Sequence, residues 1–282
     1  MSSAPAVINF WFEFASPYSM ISALRLFHAL TNTPAPRPTS IRNIPSCSLP
    51  PLTNIRIAYQ PIFLGALFKA VGNQQLPNMT VPLKGHYLFH DVHRSLNLFG
   101  CPGFPESRPQ WWPRNTALAG RMAWMLTQGP EYIRVLDSGR RPSKVVVQDG
   151  GMQGAEARVV AEFVWRVFEA EFIANEDIGS AEVMSRLWDA YVARPGHTVD
   201  GAMPEGQRAV VLANEEAVRE GFRENTQMAA HMGVFGAPTF TTDDGDLYWG
   251  NDRLIEAVNH SSAVDSIAQN AGFCLRARGA SL

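Results

Sequence analysis

Ser16 and Ser19 flank Pro17-Tyr18 where a nearly continuous apolar run, Val7 to Phe14, gives way to a helix-like pattern. Disulfide exchange at such a place needs a thiolate nucleophile and a second thiol to resolve the mixed disulfide. Two serines supply neither. A hydroxyl at a helix N-terminus can instead donate a hydrogen bond to a thiolate carried by another molecule, where free backbone N–H groups and the end dipole already favour negative charge. A free thiol of pKa near ~8.5 is only slightly ionised at neutral pH, and such a terminus lowers that value by about a unit or more. The same serine also suits a plain helix cap.

Other side chains offer less. His86, His90 and His93 would share one face of a helix, but no cysteine or carboxylate stands near them in a ligand-like arrangement, so no metal site is expected. Trp111 and Trp112, ahead of Pro113-Arg114-Asn115, could wall an apolar substrate or simply fill the core. The sequence has no P-loop and no dinucleotide fingerprint.

With 282 residues, 46% of them hydrophobic, the chain can bury one large core or two ordinary ones. A net charge of -2 and a pI near 6.4 leave no basic excess for a phosphate backbone, so nucleic acid is not an expected partner. No apolar stretch has a membrane span's length and MSSAPAV lacks a secretory signal's features, so a soluble intracellular protein is expected. Cys47, Cys101 and Cys274 are far apart and odd in number, which argues against a disulfide framework.

The elements that must position these residues follow from pattern. VINFWFEF reads as a central parallel strand, and Pro17 to about Leu30 as a helix with Ser16 as its cap. Residues 31–54, with six prolines, read as a loop. Ile55, Ile57 and Tyr59 alternate as a second strand, giving β-α-β. Helical patterns then follow at Arg114–Leu126, Ala157–Phe172, Ser180–Val192 and Pro204–Asn214, interrupted by an irregular insert at about 128–155. A helix from about Glu215 to Met232, a hairpin turning at Asp243-Asp244-Gly245-Asp246 and a closing helix capped by Asn251 or Asp252 complete the chain. The fold class is α/β: residues 1–64 and 215–282 form one domain in two parts, and 65–214 an inserted all-helical domain.

FEFASPYS, PIFLGALFKAVGN, PLKGHY, NEDI, GVFGAPTF and YWGNDRL occur in one order along the sequence. Together they resemble the DsbA-like thioredoxin-fold family that includes kappa-class glutathione transferases and 2-hydroxychromene-2-carboxylate isomerases. Residues 31–54 and 128–155 are longer than that family's pattern. The resemblance implies that Ser16 holds the sulfur of glutathione, acting as the catalytic residue, with Pro17 and Tyr18 beside it. It implies a cis Ala237-Pro238 bond facing Ser16, and a γ-glutamyl subsite at Asn251 and Asp252 shaped by Trp249 and Gly250. Lys84 would pair with a glutathione carboxylate. Lys69, Asn73 and Asn78 would line the second-substrate side, with Trp112 as an aromatic wall.

The expected activity is then a glutathione-dependent transferase or isomerase acting on a small, aromatic or conjugated-carbonyl electrophile, with glutathione as cosubstrate or cofactor and no metal. The alternative is a non-catalytic thioredoxin-fold module that binds glutathione or a peptide. The family further implies a homodimer in the cytoplasm, or in the mitochondrial or peroxisomal matrix.

Overall fold

The computed structural model describes residues 4–31, 49–50, 52–72, 81–99, 104, 108–110, 112–138, 154–192, 198–199 and 203–271. Strand β1 (Ala6–Phe12) leads into helix α1 (Pro17–Thr31), and β2 (Ile55–Pro61) runs parallel to β1 from Ala6↔Ile55 to Phe12↔Pro61. On its other edge β1 pairs antiparallel with β5 (Thr239–Thr242), which in turn pairs with β6 (Leu247–Trp249). The sheet order is therefore β2-β1-β5-β6, with β1 inside.

The apolar run in β1 is explained by core on both faces. Ile8, Phe10 and Phe12 are fully buried, with Phe10 stacked on Phe12 and Phe240. Trp11 points into a second, smaller cluster with Ile62, Leu67, Ala229 and Val234. Its indole N–H donates to Thr241 Oγ1 at 2.9 Å.

Between β2 and β5 the chain is helical: α2 (Leu64–Ala70), α3 (Pro82–Leu98), α4 (Ala117–Thr127), α5 (Pro130–Asp137), α6 (Gly154–Phe172), α7 (Ala181–Tyr191), α8 (Glu205–Ala213) and α9 (Glu216–His231). A two-residue hairpin, β3 (Thr198–Val199) with β4 (Met203–Pro204), precedes α8. After β6, a 3₁₀ turn (Asn251–Arg253) enters the closing helix α10 (Leu254–Ala271).

Several of these elements differ from the sequence reading. Helix α3 escapes it because only Leu88, Val92 and Leu96 are buried, a seam one residue wide spaced every four positions. Helix α2 is seven residues long, too short for a period to register. The stretch read as an irregular insert at 128–155 opens with α5, which follows Gly129 at φ 88°. The helix expected from Arg114 starts at Ala117, behind a cis Trp112–Pro113 bond. The loop at 31–54 falls largely outside the described residues.

Candidate active site

Where β1 ends, the chain turns over Glu13-Phe14-Ala15, and the Ser16 N–H donates to the Glu13 carbonyl at 3.0 Å. The Ser16 carbonyl then accepts the first bond of α1, from Met20 at 3.1 Å, and the Ser19 N–H donates to Ser16 Oγ at 3.2 Å. Ser16 is thus the N-cap of α1 with Pro17 in the first helical position, where a missing N–H costs nothing. Ser19 is wholly buried, so its own hydroxyl faces no solvent.

The Ser16 hydroxyl donates to the carbonyl of Ala237 at 3.0 Å. Ala237–Pro238 is a cis bond, the geometry the sequence reading expects. The Pro238 carbonyl accepts the Gly250 N–H at 3.0 Å, which ties the end of β6 to this loop. Gly250 has φ 111°, a backbone angle that favours glycine; a Cβ there would meet only the Asp252 carboxylate, which is exposed and can move aside. Neither Asn251 nor Asp252 supplies a side-chain cap: Gly250 occupies that place. Asn251 is buried, its carbonyl accepting from the Arg25 guanidinium at 3.0 Å. That guanidinium lies over the Phe99 ring, 4.3 Å from its centroid. The Asp252 carboxylate projects outward, 3.8 Å from Arg253 Nε.

On the other side of Ser16, the Tyr18 hydroxyl donates to Asp91 Oδ2 at 2.7 Å and the Tyr87 hydroxyl to Asp91 Oδ1 at 3.1 Å, with Arg94 paired to the same carboxylate at 2.5 Å. Burial, followed by the hydrogen bond to Asp91, pushes the Tyr18 phenol well above its ordinary range. Lys84 is exposed and stands two helical turns before Asp91, on the same face of α3 and about 10 Å along its axis. Lys69 is exposed on α2; among the described residues no hydrogen bond or ion pair joins it to the Ser16 group. Asn73 and Asn78 lie outside the described residues. Trp112 is half-buried: its indole N–H donates to the Ala15 carbonyl at 2.8 Å and its ring meets Phe89 edge-on at 5.1 Å.

Beneath this turn sits a feature the sequence reading did not identify. The Glu13 side chain is buried and accepts from the Thr116 hydroxyl and from the backbone of Ala15 and Phe14. Burial outweighs those bonds and raises its pKa to about 7. Glu171, wholly buried on α6, also rises to about 7: burial is the main cause, opposed by Arg114 Nε at 3.4 Å and reinforced by Asp177 and Glu13. Neither Glu171 carboxyl oxygen has a hydrogen-bond partner among the described residues. The signal was available, since Glu13 is the one charged residue between Val7 and Phe14.

Two further features lie apart from Ser16. An open polar cavity of about 720 Å³ is lined by Gln110, Arg114, Asn115, Asn175, Asp177 and Gly179, none of them bonded to Ser16 or Ala237. Asp244, Asp246 and His260 form the one group among the described residues whose ligand atoms converge as a metal site's would; the imidazole lies between the two carboxylates, 2.6 Å from Asp244 and 3.3 Å from Asp246. His86, His90 and His93 form no such group among the described residues.

The sequence matches the model of the DSBA-like thioredoxin domain over residues 7–123 and 151–260, and the chain belongs to that family. Among solved structures it is similar to a 2-hydroxychromene-2-carboxylate isomerase, with a TM-score of 0.62 and 21% identity, covering 94% of this chain and 98% of that one. A probable DsbA oxidoreductase from Streptomyces coelicolor aligns with a TM-score of 0.55 and 12% identity, over 98% of this chain and 94% of its own. A putative protein disulfide isomerase from Nitrosomonas europaea aligns at 0.51 and 14%, over 95% and 100%. At these identities the likeness concerns the fold. Comparison with curated protein sequences finds no match. Among the described residues no helix is long and apolar enough to cross a membrane.

Proposed function

We propose that this chain is a glutathione-dependent transferase or isomerase in which the Ser16 hydroxyl stabilises the thiolate of bound glutathione. The observation that carries the reading is the placement of that hydroxyl: at the N-cap of α1, against the carbonyl preceding Pro238. The positive end of the helix dipole makes this a place for a sulfur anion. Serine at both 16 and 19 leaves no thiol of the protein's own there, so the relatives named as disulfide enzymes do not supply the reaction.

The residues at hand fit the tripeptide. Asp252 offers an exposed carboxylate to an ammonium group, Lys84 an exposed ammonium to a carboxylate, and the Ala237–Pro238 loop its main chain to a peptide. Glutathione brings a nucleophilic sulfur, which is kept in the product of a transfer and released unchanged after an isomerisation. Ser16 acts by turning its hydroxyl hydrogen from Ala237 to that sulfur. The second substrate is a small electrophile, an enone or an aryl halide.

Calorimetry at millimolar glutathione, with turnover of enones, aryl halides and hydroxychromene carboxylates measured with and without it, tests the proposal. Absence of uptake, or unchanged turnover in Ser16→Ala, sinks it. One observation favours a second reading, a binding module without catalysis: Ser16 is only 6% exposed and its hydroxyl is already engaged. Retention on glutathione resin without turnover of any of those substrates would favour that reading.

A further inference from the structure

The open polar cavity of about 720 Å³ uses none of the residues of the Ser16 site, and its walls come from the loops that precede α4 and α7. Arg114 is the charged part of that wall, with a side chain only 5% exposed. Its Nη2 donates to the Asn175 carbonyl at 3.0 Å and to Asn175 Oδ1 at 2.7 Å, while Nε lies 3.4 Å from Glu171. Nη1 has no partner among the described residues. Glu171 balances the guanidinium charge only in part, because burial raises its own pKa to about 7.

Two amides of the same wall have their oxygens already engaged. Asn115 Oδ1 accepts the Ala117 N–H at 3.1 Å, and Asn175 Oδ1 accepts the Gln110 N–H at 3.0 Å in addition to Arg114. What each amide has left for a ligand is its N–H₂ group. Asp177 supplies the opposite chemistry. Its Oδ1 accepts the Gly179 N–H at 2.9 Å, and Oδ2 has no partner among the described residues. A Cβ at Gly179 would lie 2.8 Å from the Asn115 carbonyl, so the two loops approach this closely only with glycine there.

We infer that this cavity is a binding site, separate from Ser16, for a free polar α-amino acid: its carboxylate meets Arg114, Asn115 and Asn175, and its ammonium meets Asp177. A guanidinium with amide donors suits a carboxylate, and a carboxylate suits an ammonium, through charge-assisted hydrogen bonds. The favoured side chain is polar, since no apolar side chain is among the described residues that line the cavity. The volume lies in the range of small-molecule sites and admits an amino acid the size of glutamine. The inference does not depend on the glutathione reading.

Calorimetric titration of the full chain with L-glutamine tests it. The parent should bind with a Kd of about 1 mM or below. Glutaramate, which lacks the ammonium, and 4-aminobutanamide, which lacks the carboxylate, should each bind at least about fivefold more weakly. Asn115→Asp keeps an oxygen for the Ala117 N–H but exchanges the donor for a second oxygen, so the melting temperature should barely move while affinity falls about tenfold. Asp177→Asn keeps the bond to Gly179 without the charge and should weaken glutamine about fivefold. No uptake by the parent at about 10 mM glutamine, or equal affinity in the parent and both variants, overturns the site. Millimolar glutathione should leave the titration unchanged, and displacement of glutamine by it would overturn the separation from the Ser16 cleft.

Discussion

The Ser16 hydroxyl and the Ala237 carbonyl, 221 residues apart in sequence, are joined by a hydrogen bond of 3.0 Å. That bond closes the first strand–helix junction onto the proline loop. The Ser16 oxygen also accepts the Ser19 N–H at 3.2 Å, so its lone pair caps α1 while its hydrogen is held by Ala237; in the proposed reaction a second duty is added, with a thiolate taking the place of that carbonyl.

The two duties separate on substitution. Ser16→Ala should cost about 1 kcal/mol of stability through the lost cap. If the hydroxyl also stabilises the ligand sulfur, the pKa of enzyme-bound glutathione should rise by about a unit in the same variant. Thermal unfolding reads the first effect, and the ultraviolet absorbance of the thiolate against pH reads the second. A stability loss with an unmoved thiol pKa would leave Ser16 as a cap alone.

Glu13 predicts a pH dependence of stability. Its pKa is about 7 in the fold against 4.5 unperturbed, so the native state binds the proton more tightly than the unfolded chain. The resulting stability is fully present below about pH 4.5 and is lost as pH rises through about 7, by at most ~1.4 kcal/mol per unit. Glu171 acts in the same direction over the same window. Glu13→Gln should therefore flatten the fall of melting temperature between pH 5 and 7, and Glu13→Gln with Glu171→Gln should flatten it further. Parent and variant curves of equal slope would refute the assignment.

The residues that were legible in sequence carry their information locally. Val7 to Phe14 is apolar because β1 is covered on both faces, and Ser16-Pro17 is a cap signal complete within a few residues. The Ser16–Ala237 bond followed from no local pattern; only a resemblance placed Pro238 opposite Ser16. Glu13 stands out in sequence as the one charged residue of an apolar run, but nothing local joins it to Thr116 or Glu171, whose shared burial with it arises only in the fold. Helix α3 was missed for the opposite reason: its seam of Leu88, Val92 and Leu96 is too narrow to stand out among polar neighbours.

Tyr18 links α1 to the helix that carries Lys84. Tyr18→Phe removes a hydrogen bond to a carboxylate and should cost about 1.5 kcal/mol. Because Asp91 also receives Tyr87 and Arg94, α3 should loosen rather than detach, and KM for glutathione should rise while kcat changes less. A double-mutant cycle with Asp91→Asn should show coupling of at least ~0.5 kcal/mol. Additive losses would mean that the two side chains do not act as a pair.

Gly221 tests the core of the helical region. Alanine in the middle of α9 would normally stabilise a helix by about 1 kcal/mol. Here its Cβ would lie 2.1 Å from Cη2 of Trp124, a fully buried ring packed edge-on against Tyr132. Overpacking at such a site costs about 1–3 kcal/mol, and this approach is close enough for the upper end to win. Gly221→Ala should lower the melting temperature by several degrees; a rise would show that Trp124 has room to move.

Trp112→Phe distinguishes a brace from a substrate wall. The substitution keeps an aromatic ring but deletes the N–H that donates to the Ala15 carbonyl, the residue immediately before Ser16. If the indole holds the turn, loss of that bond lets the Ser16 hydroxyl drift from its working position, and kcat should fall about three- to tenfold for every electrophile alike. A wall would behave otherwise, raising KM for aromatic electrophiles alone and leaving kcat nearly unchanged. Measuring both constants for an aryl halide and an aliphatic enone separates the cases, and a rise in KM confined to the arene would return Trp112 to the substrate side of the site.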